Sequence, residues 1–341
     1  MIKLGVIYGG ISTEHDVSVM SAKSVIDNLD KEKYEIHEIY INEYGKWFEV
    51  KDDEKQEIYN LIWTLKELDV VFPVLHGLGG EDGTIQGMLE MLQVPYVGCG
   101  VLASSVGMDK VYTKIVFEKA GIPQAPYMYI KRTDDGYVIV NGNFEEEEFK
   151  IEKITRKLQY PMFVKPSNSG SSVGVKKATN DQELKMAIEN AAQYDIKILV
   201  EQGIDAKEVE CAILDGKEVL ASTVGEIMSA EDFYSFDAKY NIPESKTVIP
   251  AEITEEQIEE IRKLAVRAFK AIDGNGLSRV DFFVEKDTSK IYINEINTMP
   301  GFTKISMYPK LFEAVGVSYS ELLDKLIQNA IKYWQIKNCM I

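Results

Sequence analysis

The chain has 341 residues, room for two or three domains with separate cores, and its 45% hydrophobic and 27% charged residues are ordinary for a globular protein. Its 38 basic and 55 acidic residues leave a net charge of −17, which argues against nucleic acid or an anionic membrane as partner, since both need a basic footprint. No apolar run approaches membrane-spanning length, and Cys99, Cys211 and Cys339 lie far apart without metal-site spacing, so a reducing, cytoplasmic setting is expected.

In chain order, residues 3–8 predict an apolar first strand rather than a signal peptide, followed by the turn Gly9-Gly10. A helix is expected over 13–29, with Thr13-Glu14-His15-Asp16 resembling a capping box at its start. Strands at 34–41 and 69–75 follow, and the second ends in the loop His76-Gly77-Leu78-Gly79-Gly80-Glu81-Asp82-Gly83. Ile85, Met88, Leu89 and Leu92 then recur at helical spacing. This alternation predicts a mostly parallel sheet with function in the loops after the strands. A helix at 110–120 runs to Gly121-Ile122-Pro123, a natural boundary. The acidic stretch 131–150 reads as a solvated excursion, and a strand at 160–165, a strand near Val173 and a helix at 182–192 complete a small α+β unit. The last part opens with a strand at 197–201 and continues through a strand at 208–214, the loop 228–250 and a helix at 255–272. Strands Leu277–Glu285 and Ile291–Asn297 and a C-terminal helix over 319–334 close the chain.

Those last two strands carry the most chemistry. If they form a simple hairpin around residues 286–290, Asp281 lies opposite Glu295 and Arg279 opposite Asn297, all four on one face. Facing carboxylates repel unless a cation sits between them, and two carboxylates with an amide oxygen make a hard, Mg2+-type ligand set. The loop Asn168-Ser169-Gly170-Ser171-Ser172-Val173-Gly174 follows a strand ending in Lys165, and small residues beside a lysine suit phosphate. No Gly-x4-Gly-Lys-Ser/Thr or Gly-x-Gly-x-x-Gly pattern occurs, which sets aside a Walker A or nicotinamide site. In 207–213, Val209, Cys211 and Ile213 alternate with Glu208 and Glu210, so the acids face solvent or a cleft. His76 could bind a carboxylate or decorate its loop, and no Ser or Cys nucleophile has a local His-acid signature. The sum points to ATP with Mg2+.

In order and along essentially the whole chain, the motifs resemble those of the D-alanine–D-alanine ligases of the ATP-grasp superfamily. The matching pieces are Gly9-Gly10 with Glu14-His15-Asp16-Val17-Ser18, the His76–Thr84 loop, Met108-Asp109-Lys110, Val164-Lys165-Pro166 and Gly170–Gly174. They continue with Asp237-Ala238-Lys239-Tyr240, Arg279-Val280-Asp281 and Glu295–Gly301. The resemblance implies an ATP-grasp fold of mixed α/β and α+β class: an N-terminal parallel α/β domain (1–108), then two α+β domains (109–196 and 197–341) clasping ATP.

It implies ligation of two D-alanines through an acyl phosphate, with peptidoglycan synthesis as destination. Asp281, Glu295 and Asn297 would hold Mg2+ or Mn2+, Lys110 and Lys165 would contact phosphates, and Lys239 would approach the transferred phosphoryl group. Glu201 and Glu208 would hold the adenine and ribose. Arg279 and the Gly301 N–H would be oxyanion donors. Glu14 would take the first substrate's ammonium, with His76 near its carboxylate, while Ser171 and Tyr240 link with Glu14 to close a lid formed by 228–250. Ser306 and Met307 would receive the second substrate's carboxylate. Lys239-Tyr240 with Ser306-Met307 favours D-alanine there, and the alternative is a D-serine or D-lactate ligase of the vancomycin-resistance type. A homodimer is expected from the resemblance alone. A non-catalytic nucleotide-binding regulator on the same fold is disfavoured because Arg279, Asp281 and Glu295 are all present.

Overall fold

The computed structural model describes residues 1–228 and 246–339. The first unit is a five-stranded sheet of order β4-β3-β2-β1-β5. Its strands are β1 (Ile2–Gly9), β2 (Tyr34–Ile41), β3 (Trp47–Lys51), β4 (Glu54–Glu57) and β5 (Val70–Val74). β1 runs parallel to β2 and β5, as strand–helix alternation predicts, whereas β3 and β4 add an antiparallel edge. Helices α1 (His15–Asn28), α2 (Leu61–Lys66), α3 (Thr84–Leu92) and α4 (Val101–Met108) belong to this part, and α5 (Lys110–Lys119) leads out of it. The expected capping box at Thr13 is absent. Glu14 occupies the cap position without a side-chain cap bond, and it is Ser12 Oγ that accepts the Glu14 N–H at 3.1 Å. The Glu14 carboxylate is drawn instead to Ser171.

The second sheet has six strands in the order β10-β9-β11-β6-β7-β8. These are β6 (Tyr127–Thr133), β7 (Gly136–Val140), β8 (Glu146–Glu148), β9 (Met162–Pro166), β10 (Lys176–Ala178) and β11 (Lys197–Gln202), with α6 (Ile151–Thr155) and α7 (Asp181–Ala191). The acidic stretch 131–150 is therefore not a free excursion but a meander of edge strands. Ile139 anchors it in the core, while the glutamates stay outside and pair with Lys131 and Lys153. β11, with which the last section was expected to open, is hydrogen-bonded between β9 and β6.

The third sheet runs β14-β13-β12-β15-β16. Its members are β12 (Ala206–Leu214), β13 (Leu220–Met228), β14 (Lys246–Val248), β15 (Leu277–Glu285) and β16 (Ile291–Asn297). Helix α8 (Glu255–Ala271) starts at a Thr254–Gln257 capping box and buries Ile258, Ile261, Leu264, Ala265, Ala268 and Phe269 at spacings of three and four. That stripe packs on Val209, Cys211, Val280 and Phe282, the back face of the sheet. Of two closing helices, α9 (Met307–Glu313) packs on β12 and β13, and α10 (Tyr319–Asn338) packs on α1 and β5.

The first and third units are welded by aromatic residues. Phe302, fully buried, lies 5.5 Å from Phe72 of β5, 5.3 Å from Tyr308 and 6.4 Å from Tyr319 between ring centroids. Its carbonyl accepts the Tyr319 hydroxyl at 2.6 Å. Phe302→Ala should cost about 3–5 kcal/mol of unfolding free energy, as for other buried aromatic truncations, and urea denaturation would register it as a lower midpoint.

Candidate active site

β15 sits between β12 and β16, and the register places Glu210, Asp281 and Glu295 in one row, with Ala212, Arg279 and Asn297 in the next. Period-two alternation sends both rows to the front face, away from α8. The expected Asp281–Glu295 and Arg279–Asn297 pairings are present, but the hairpin is not simple. Beyond Asp281 the register slips, with Phe282 opposite Ile293, so Asn294 is the extra residue of a bulge that turns it toward the cleft beside Glu295.

Three carboxylates in a row repel one another, and Arg279 offsets much of that. Its Nε and Nη2 donate to the two oxygens of Asp281 at 2.7 Å each, and Nε lies 3.0 Å from Glu210 Oε2. Although burial alone would lower it, these acids keep the guanidinium pKa well above its ordinary value, so Arg279 stays charged. Asn297 donates its amide N–H to Asp281 at 3.1 Å.

The loop after β9 carries Ser171 and Ser172 with φ of 47° and 60°, left-handed backbone that non-glycine residues adopt at a cost. This conformation directs Ser171 Oγ to the Glu14 carboxylate across the unit boundary. Glycines flank that carboxylate: a Cβ on either Gly77 or Gly170 would come within 2.5 Å of Glu14 Oε2. Asp109 caps α5, accepts the Ser167 hydroxyl and pairs with Lys197, so the start of α5 is tied to the root of the loop. Lys110 then donates to the Ser169 carbonyl at 2.6 Å.

Behind the loop lies a buried charge cluster. The Glu201 carboxylate is 2.5 Å from Lys114 Nζ through one oxygen and 2.8 Å from Lys165 Nζ through the other. Burial would raise the Glu201 pKa, but the two ammonium groups outweigh it and hold the group down at about 2. Lys165 also reaches Asn294 Oδ1 at 3.4 Å.

His76 is buried, 4% exposed, at the end of the first sheet. Its Nδ1 lies 3.0 Å from the Met299 carbonyl and its Nε2 3.0 Å from Ser21 Oγ. A carbonyl only accepts, so Nδ1 carries the hydrogen, and burial lowers the ring's pKa toward the neutral form. Nε2 then accepts the Ser21 hydroxyl, whose oxygen accepts the Phe302 N–H at 3.2 Å. Glu81 adds a second tie across the same boundary, accepting the Gly77 N–H at 2.9 Å and the Met299 N–H at 3.1 Å. The segment leading to Gly301 is thus held by α1 and by the His76 loop.

All candidates from the sequence except Lys239 and Tyr240 line one cleft of about 730 Å³ between the three sheets, and those two lie outside the described residues. Ser306 accepts the Thr303 N–H at 2.9 Å ahead of α9, and Met307 packs beside Gly225, where a Cβ would meet its sulfur at 2.8 Å. Glu201 faces the two lysines with its side chain, while Glu208 lies on the front face opposite Phe283 and Ile227. Sequence reasoning missed Lys114, Glu81, Ser21 and Asn294 as site residues. Lys114 carried a signal, since it lies one helical turn beyond Lys110 on the same face.

The donor set fits a divalent cation. Among the described residues no group of three or more His, Cys, Asp or Glu side chains could hold a metal, so the protein would supply two carboxylates and an amide. The rest of the shell would come from water and a phosphate ligand, the usual habit of Mg2+. Asn297 would turn its amide oxygen inward to join the set.

The chain matches two family models, described as D-ala D-ala ligase N-terminus over residues 3–99 and D-ala D-ala ligase C-terminus over residues 116–328. It is 49% identical over 365 residues to the D-alanine–D-alanine ligase of Acetivibrio thermocellus, covering 96% of this chain and 95% of that one. Among solved structures it resembles the D-alanine–D-alanine ligase of Coxiella burnetii (TM-score 0.84, 33% identity, 99% of this chain and 96% of that one). It also resembles the VanG D-Ala:D-Ser ligase of Enterococcus faecalis (TM-score 0.84, 35% identity, 96% of this chain and 99% of that one). With both family models in sequence order and a relative 49% identical over nearly the whole chain, the chain belongs to the D-alanine–D-alanine ligase family.

Proposed function

We propose that this chain joins two D-alanines into D-alanyl-D-alanine at the expense of ATP, supplying a dipeptide for cell-wall peptidoglycan. The observation that carries this reading is one cleft holding the Glu14 carboxylate together with buried lysines and the Arg279–Asp281 pair. An enzyme that activates one amino acid with phosphate and couples it to another needs these three kinds of group side by side.

Glu14 holds the ammonium of the first D-alanine, and Ser171 fixes the carboxylate that does so. Lys110 and Lys165 hold the nucleotide phosphates, with Glu208 turned toward the ribose. Mg2+ or Mn2+ on Asp281, Glu295 and Asn297 would neutralise phosphate charge. Arg279 and the Gly301 N–H face the carbonyl oxygen whose negative charge grows when the second amine attacks, so they stabilise the transition state more than the ground state. The carboxylate of that second substrate is received by Ser306 and the start of α9. Neutral His76 adds no cation there; it positions the Met299–Gly301 backbone.

Phosphate release should be measured with ATP, Mg2+ and D-alanine, with products identified by mass. D-Alanyl-D-alanine, little changed by added D-serine or D-lactate, is expected. A product dominated by D-serine would favour the second reading, to which the VanG resemblance lends support. No phosphate release would reject both. A chelator should stop turnover, and Mg2+ or Mn2+ should restore it.

Arg279→Met should lower kcat by about 100- to 1,000-fold, the range for loss of one oxyanion donor, with a thermal scan confirming the fold.

Burial and the Glu14 carboxylate push Glu81 up to about 8, against the pull of its two N–H donors. The folded chain then keeps a proton that the unfolded chain releases above about 4.5. The resulting stability is full below that pH and is lost as pH rises through about 8. Glu81→Gln should flatten this slope, read as the thermal midpoint from pH 5 to 9.

A further inference from the structure

Lys114 is 3% exposed, as is Glu201, and both line the cleft. Lys114 comes from α5, Glu201 from β11 and Lys165 from β9, so the second sheet and the helix leading out of the first unit meet at this carboxylate. The order is linear: Lys114 takes Oε1 at 2.5 Å and Lys165 takes Oε2 at 2.8 Å. Two ammonium groups share one carboxylate, leaving the trio with one net positive charge at the wall of the cleft.

That imbalance decides what Lys165 can do. A buried ion pair of Lys165 and Glu201 alone would be neutral, and a phosphate would have to compete with Glu201 for the same ammonium. A second cation on the other oxygen draws off part of the carboxylate's charge, so Lys165 retains attraction for an anion in a region where charges are weakly screened.

We propose that Lys114 is a positioning residue for nucleotide binding: it occupies one oxygen of Glu201 and thereby frees Lys165 to hold phosphate. The proposal rests on the reading of Lys165 as a phosphate ligand. Lys114 acts through Glu201, so its importance depends on the negative charge there. Without that charge there is nothing for Lys114 to offset.

A double-mutant cycle on the full chain tests this, with ATP and Mg2+ binding followed by calorimetry in the absence of D-alanine. Lys114→Met should weaken ATP binding at least about tenfold in the parent chain. On the Glu201→Gln background the same substitution should cost less than about threefold. Equal cost on both backgrounds would mean that Lys114 acts independently of Glu201, and would overturn the proposal. So would an unchanged affinity in Lys114→Met. Steady-state kinetics should show the loss in KM for ATP rather than in kcat. Lys165→Met is the control for the underlying reading: if it leaves ATP affinity intact, the phosphate role of Lys165 fails, whatever the cycle shows. Should Lys114→Met lower the thermal midpoint sharply, Lys114→Gln carries the same comparison.

Discussion

The row of Glu210, Asp281 and Glu295 across three paired strands is the constraint from which the rest follows. Strand pairing leaves these carboxylates no freedom to separate, and like charges directly opposite are destabilising. The chain answers with Arg279 on the next row, forked onto Asp281 and touching Glu210. Only part of the negative charge is compensated in this way. On the reading proposed above, this face would take a divalent cation carrying phosphate, with the same arginine beside the developing oxyanion.

A site of this kind must be completed from elsewhere, because one sheet face offers no enclosure. The structure does so with polar ties between units, set beside an apolar core that the first and third units share. Ser171 reaches Glu14, Glu81 takes N–H groups from Gly77 and Met299, and Ser21 joins His76 to Phe302. Each tie has at least one member that lines the cleft, so the position of one unit is felt there. The aromatic weld around Phe302 supplies apolar burial beneath these contacts. Geometry near the ligand can then be held by a few directional bonds.

Much of this was legible from the chain. The strands Leu277–Glu285 and Ile291–Asn297 agree with expectation at both ends, because turn residues bound runs of apolar alternation. The facing of Asp281 and Glu295 was expected from period two and a simple turn, but the structure has Val284 facing Ile291 and reaches that pairing only through the bulge at Asn294. Other elements were not legible for identifiable reasons. The acidic run 145–148 masks the edge strand β8, whose pairing comes from β7 rather than from its own composition. The start of α1 looked like a capping box, yet Glu14 is held by Ser171, 157 residues away. The bulge at Asn294 leaves no mark in local sequence, since it depends on how two strands meet.

Local pattern carried most element types and apolar faces and pointed to a few candidate side chains, since these depend on neighbours within a few residues. It suggested Lys165 as a phosphate-type lysine and Asp281 with Glu295 as a metal-type pair, whereas Lys110 entered only through the family resemblance. Which charges share a partner was a matter for the assembled molecule. Glu201 between Lys114 and Lys165, Glu81 between two backbone amides, and Ser21 beside His76 unite residues distant in the chain. Such contacts arise when separate sheets are brought together, and their strength comes from burial that no single segment provides.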